Sequence, residues 1–201
     1  PVISLSLKSA KQPDFQMAYE CLVEEIAWEY HRHAYLLQSD CISQEDKEKY
    51  RALMGRRANR SDYATALRFL SKCLKNYHQK NVVILLDEYD VPLENSYFRG
   101  FYDEMVDFIR SLFESALKTN DVLEFAVVTG CLRISRESIF TGLNNLKMVS
   151  ILDESFAEFF GFTPQEVQKT LDDYGIRDRE EEVKQWYDGY SFRDLTSVYN
   201  P

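Results

Sequence analysis

Residues 81–92 read Asn-Val-Val-Ile-Leu-Leu-Asp-Glu-Tyr-Asp-Val-Pro. Five apolar residues, Val82 to Leu86, run without alternation and stop at two acids, Asp87 and Glu88. A short unbroken apolar run rich in β-branched residues suits a strand covered on both faces, as in a parallel sheet. Ligands of such sheets bind beyond the carboxyl ends of the strands. Asp87 and Glu88 fall at that end.

Two acids at a strand tip have a plain reading, a solvated turn into the next helix with Asp90 and Pro92 as turn residues. They also have a chemical one. In P-loop NTPases an acid at this place helps hold Mg²⁺ on the β- and γ-phosphates. A second carboxylate beside it can polarise the attacking water as a general base. This is the Walker B arrangement, and the pattern alone leaves both readings open.

Glu124 to Leu132 contains a second buried-strand signal, Phe125-Ala126-Val127-Val128, ending in Thr129-Gly130. It places a hydroxyl beside a glycine at the same edge of the sheet. Arg133 and Arg136 follow, either as surface charges near Glu137 or as cations placed to act on a phosphate.

The wording of these stretches goes further than their pattern. LLDEYDVP (85–92), FAVVTGCLRISRESIFTGLNNL (125–146), WYDGYSF (186–192) and VYNP (198–201) occur in order. Together they resemble the bacterial AAA-ATPase-like family of P-loop NTPases, often fused to a PD-(D/E)XK nuclease-like domain. The resemblance covers most of the chain and is weakest over residues 14–60. It implies a three-layer α/β/α P-loop NTPase-like parallel sheet over residues 1–152 and a small helical, lid-like subdomain over 153–201. It implies ATP and Mg²⁺ as cofactors, with Asp87 organising the metal and Glu88 activating water. Thr129 and Arg133 would sense the γ-phosphate, with Arg136 a further candidate.

One departure matters. No segment fits G-x-x-x-x-G-K-[ST], and no glycine precedes Gly55. The first strand and the Walker A loop are expected upstream, so the chain reads as an internal piece that needs the missing segment for ATP and Mg²⁺. Its order of strands is then expected to be Val2–Leu7, Val82–Leu86, Phe125–Val128, with the last strand's outer edge unpaired or collapsed against Val149–Leu152 and the piece alone marginally stable or self-associating.

With 201 residues, 45% hydrophobic, the chain can bury a sizeable core. A net charge of −9 argues against nucleic-acid or anionic-membrane binding by the whole surface. The most basic stretch, Lys47 to Arg60, is read as a solvated loop between helices or, alternatively, as a nucleic-acid or partner contact. Four scattered cysteines without a C-x-x-C pair suggest reduced thiols and a cytoplasmic protein. No apolar run approaches the ~20 residues of a membrane span.

Around the two buried strands the chain reads as follows. Val2 to Leu7 alternates and suits an edge strand. Asp14 caps a helix carrying Phe15, Tyr19, Leu22, Ile26 and Tyr30 on one face. His31 and His33 lie two apart, on different faces, and read as its solvated end rather than as metal ligands. Ser61 or Asp62 caps a crossover helix with Tyr63, Leu67, Leu70, Leu74 and Tyr77. One long helix is expected from about Ser96 to Leu117, then a short strand from Met148 to Leu152. Thr163-Pro164-Gln165-Glu166 forms a capping box, Glu180 to Trp186 a helix, and Tyr187 to Phe192 a packed aromatic corner. Besides an ATPase, the sequence is compatible with a nucleotide-dependent regulatory switch or a non-catalytic interaction module.

Overall fold

The computed structural model describes residues 1–132, 139–140, 146–150, 153, 156–192 and 195–199. The chain divides into two compact units, Pro1–Asn144 and Asn145–Pro201. The first is a mixed α/β unit built on a three-stranded parallel sheet in the order β1 (Val2–Ser6), β2 (Val82–Asp87), β3 (Leu123–Val128). This is the strand order expected from the sequence. Between β1 and β2 run α1 (Phe15–Arg32), α2 (Gln44–Met54), α3 (Arg60–Ala64) and α4 (Ala66–His78). Between β2 and β3 run α5 (Val91–Arg99) and α6 (Tyr102–Phe113).

Register sorts the strand residues into two faces. Ile3 lies beside Ile84 and Leu5 beside Leu86, and Ala126 and Val128 extend the rows on β3. Ile3, Leu5, Ile84 and Leu86 are fully or almost fully buried, packed with the inward faces of α1 and α4. The alternate residues, Val2, Leu85, Phe125 and Val127, are 39%, 37%, 61% and 39% exposed. The unbroken apolar run of β2 predicts cover on both faces, and the described residues supply it on one. A second helical layer is not completed by them.

The helices follow their caps. Asp14 Oδ1 accepts the Met17 N–H at 2.9 Å and starts α1 as expected. Ser43 does the same for α2. Asn59, rather than Ser61 or Asp62, caps α3 by accepting the Asp62 N–H at 2.9 Å, and α4 starts afresh after Thr65. The long helix expected from Ser96 to Leu117 is two helices, because Gly100 takes a left-handed backbone (φ +83°) that ends α5. Three fully buried tyrosines tie the helices together through satisfied hydroxyls. Tyr30 donates to the Ala66 carbonyl, Tyr50 to Tyr30 and Tyr63 to Leu53, at 2.8, 2.7 and 3.1 Å. Cys73 is buried beside them, its thiol pushed up to about 12 by desolvation, and all four cysteines are free thiols.

His33 is not a solvated helix end. It is 5% exposed, and its Nε2 lies 3.2 Å from the Val2 carbonyl. Glu29, one turn earlier and 6% exposed, accepts the Ser4 N–H at 2.9 Å, and Arg32 donates to Val2 O at 2.6 Å. These side chains at the end of α1 occupy the Val2 carbonyl and the Ser4 N–H on the outer edge of β1, which hinders pairing there with another strand. Burial would raise the Glu29 carboxyl, but hydrogen bonds from His33, Arg32 and Ser4 outweigh it and hold the group below its ordinary value. The basic stretch is likewise partly absorbed: Lys49 pairs with Asp62, Arg56 with Glu24, and Arg60 lies 4.5 Å over the Phe15 ring.

In the second unit, Thr163 and Glu166 make the expected capping box at the start of α7 (Pro164–Asp173). After α8 (Glu180–Tyr187) the expected aromatic corner is instead β4 (Asp188–Phe192), paired antiparallel with β5 (Leu195–Tyr199). The aromatic and β-branched content of this stretch favours strands. The expected strand at Met148 to Leu152 is not formed over residues 148–150, and residues 151–152 lie outside the described residues. No described helix is long and apolar enough to cross a membrane.

Two outcomes test this architecture. Glu29→Ala should cost about 1–3 kcal/mol in chemical denaturation, since the Ser4 N–H and Arg32 lose their acceptor. A carboxyl held low by folding stabilises above its unfolded value, so the difference between wild type and Glu29→Gln should shrink as pH falls below about 4. The 201-residue chain should self-associate in light scattering through the edge of β3 left unpaired among the described residues and its apolar face, and Phe125→Lys should return it to monomer.

Candidate functional site

The carboxyl ends of the three strands meet at Ser6, Asp87 and Thr129. Asp87 is the last residue of β2, in register with Ser6, and its row continues the open face of the sheet. The Leu7 N–H donates to the Asp87 carbonyl at 2.9 Å, and the Thr129 N–H to the Leu86 carbonyl at 2.8 Å. Both neighbours therefore hold the tip of β2 by backbone bonds. The Thr129 hydroxyl donates to Asp87 Oδ1, which also accepts the Glu88 N–H at 3.0 Å. Asp87 is exposed.

Glu88 leaves the strand in a left-handed backbone, φ +54°, unusual for a residue with a side chain. The turn this creates returns the Tyr89 N–H to the Thr129 carbonyl at 3.1 Å. The Glu88 side chain is 31% exposed. Its Oε1 stands 4.0 Å from Lys8 Nζ, and its Oε2 is buried without a hydrogen-bond partner. An ion pair that long to an exposed lysine holds a carboxylate only weakly. Asp90, read from the sequence as a turn residue, is 3% exposed. It accepts the Leu132 N–H through Oδ2 at 2.6 Å, and its Oδ1 has no partner among the described residues.

Of the residues singled out from the sequence, Asp87, Glu88 and Thr129 come together at one strand end. Arg133 and Arg136 lie outside the described residues. Tyr89, Asp90 and Gly130 belong to the same cluster and were not singled out as site residues. A hint was present in the sequence: three acids within four positions exceed what one turn needs.

The oxygen set suits a hard cation. Mg²⁺ is bound through one or two carboxylates plus waters and substrate phosphates. Asp87, carrying an exposed carboxylate at the strand tip with a hydroxyl beside it, fits that pattern. The sequence has no glycine-rich loop with Lys to cradle the phosphates themselves.

A family model described as Predicted AAA-ATPase matches residues 1–140. The chain belongs to this AAA-ATPase-like family. The match spans the whole parallel sheet and the tip just described. An Azotobacter chroococcum mcd 1 protein, described as an uncharacterized protein in the vnfD 5′ region, is 34% identical over 125 residues. That alignment covers 61% of this chain and 23% of the relative, so the chain spans about a quarter of that protein. No solved structure matches.

Gly130 is required by space. A Cβ there would stand 2.5 Å from Asp90 Oδ1 and 2.8 Å from the Tyr89 ring. Gly130→Ala should therefore lower stability by about 1–3 kcal/mol in thermal or denaturant unfolding.

Proposed function

We propose that the complete protein binds and hydrolyses ATP, with this chain supplying the Walker B end of the site. Asp87 organises Mg²⁺, Glu88 serves as the general base toward water, and Thr129 detects the γ-phosphate. Arg133 and Arg136 are the cations proposed to neutralise charge developing on the transferred phosphoryl group. The observation that carries this reading is the paired arrangement at the end of the central parallel strand. There one carboxylate is exposed and tied to a hydroxyl, and the next is turned by a left-handed backbone with an oxygen left unpartnered. Membership in the AAA-ATPase-like family supports it.

Bound Mg²⁺ would draw charge from the phosphates, and the protein's part is position. Asp87 offers its carboxylate from a strand end that backbone bonds hold on both sides. Glu88 can take a proton from a water lying beyond the strand tip, the ordinary role of a carboxylate so placed. Thr129, donating to Asp87, joins the sensor strand to the metal-organising one.

The strained backbone at Glu88 also favours a second reading, a nucleotide-dependent switch with slow turnover, since such strain is stored where a segment has two states. A single burst without steady turnover would identify it. In the full-length protein, Glu88→Gln should keep nucleotide binding and lose about 10²–10⁴ in kcat. Asp87→Asn should instead weaken Mg²⁺-dependent ATP binding. Normal turnover by Glu88→Gln, measured by phosphate release, would remove Glu88 from the role of base.

A further inference from the structure

Two residues that the proposed hydrolysis does not use hold the loop after β3 to the loop after β2. The Tyr89 hydroxyl donates to the Leu132 carbonyl at 2.8 Å, and Asp90 Oδ2 accepts the Leu132 N–H at 2.6 Å. Adjacent side chains thus take both backbone groups of one residue. Tyr89 is 6% and Asp90 3% exposed, and the Tyr89 ring is steadied edge-on by Phe140 at 5.2 Å.

Asp90 stands at the start of α5, where a carboxylate ordinarily accepts N–H groups of its own helix. It makes no such bond. The side chain reaches across to Leu132 instead and leaves its other oxygen buried, unpartnered and directed at Gly130, where a Cβ would come within 2.5 Å. A neutral cap would serve the helix without burying an unpaired acid oxygen. A charged acceptor makes a shorter and stronger bond to a backbone N–H. The geometry spends burial of an acid on fixing one peptide next to the strand tips.

That peptide controls the spacing of the site. Glu88 keeps a backbone conformation that persists only where its surroundings over-determine it. Restraints flank it on both sides: its own N–H on Asp87 Oδ1 before it, and after it the Tyr89 N–H on the Thr129 carbonyl, then Tyr89 and Asp90 on Leu132. Thr129 is three residues before Leu132 and donates to Asp87. Tightening the clamp therefore sets Glu88, Asp87 and Thr129 together.

We propose that Tyr89 and Asp90 are positioning residues, clamping Leu132 so that Asp87, Glu88 and Thr129 hold one fixed spacing during turnover. The proposal rests on reading Asp87 and Glu88 as a Walker B pair. Tyr89 and Asp90 are buried and act through Leu132. Their effect falls on kcat rather than on affinity, because misplacing a reacting group by ~1 Å can cost ~10²-fold in rate.

The test uses the full-length protein with Tyr89→Phe, Asp90→Asn, Asp90→Ala and the double variant Tyr89→Phe/Asp90→Ala. Steady-state ATP hydrolysis is measured with amide hydrogen exchange over residues 129–132. Asp90→Ala should lower kcat by ~10²-fold and Tyr89→Phe by ~10-fold, with KM for ATP within about threefold of wild type. Asp90→Asn, which keeps an acceptor for the Leu132 N–H, should recover most of the rate. The double variant should be no slower than Asp90→Ala, since both act through Leu132. Exchange should quicken at 129–132 and not in α1. If the unmodified protein hydrolyses ATP but Asp90→Ala does so at an undiminished rate, the positioning role is overturned and the Walker B reading stands. If Asp90→Asn is as slow as Asp90→Ala, or exchange quickens throughout the chain, the role is likewise overturned. Absence of hydrolysis by the unmodified protein would sink the Walker B reading and the positioning role with it.

Discussion

Two backbone hydrogen bonds, from the Thr129 N–H to Leu86 and from the Tyr89 N–H to Thr129, fasten the ends of β2 and β3 together. Everything at the carboxyl end of the sheet follows from that fastening. Side chains alternate along a strand, so a slip of one residue would turn Asp87 into the core and bring Leu86 out in its place. The irregularity in the β2–β3 ladder falls between Val82 and Val83, at the far end of the sheet. From Val83 to Leu86 the pairing is regular, and the two tips arrive in register.

The sheet is asymmetric in both of its directions. Its β1 edge is covered at Val2 and Ser4 by buried Glu29 and His33 and half-exposed Arg32, polar groups at the end of α1 that satisfy one another. On one face Ile84 and Leu86 are buried, while on the other Leu85, Phe125 and Val127 meet solvent. The polar device at β1 costs desolvation, which its hydrogen bonds offset, and in return it occupies the Val2 carbonyl and the Ser4 N–H on that edge. At β3 nothing comparable is present among the described residues. Among the described residues, hydrophobic burial is therefore concentrated on one face of the sheet and edge protection at β1.

Much of the local structure was legible because it rests on short-range physics. An unbroken apolar run makes β2 wherever its surroundings lie, and an acid before an apolar-periodic segment caps α1. The capping box at Thr163 is complete within four residues. The failures have a common cause. The sequence shows Gly100 but not that its backbone turns left-handed and splits one helix into two. It shows His33 but not the Val2 carbonyl, 31 residues away, that draws it inside. It shows aromatic content from Tyr187 onward, where β4 and β5 need each other before either reads as a strand.

At the site the division is sharper. The sequence by itself determined that two acids end a buried strand and that a Thr-Gly pair ends another, because strand length and turn chemistry are written in adjacent residues. Only the tertiary structure decided that Thr129 reaches Asp87, that Glu88 turns left-handed, and that Asp90 leaves its own helix to hold Leu132. Those contacts join residues about forty positions apart, and parallel pairing, which no local pattern encodes, is what brings them into range.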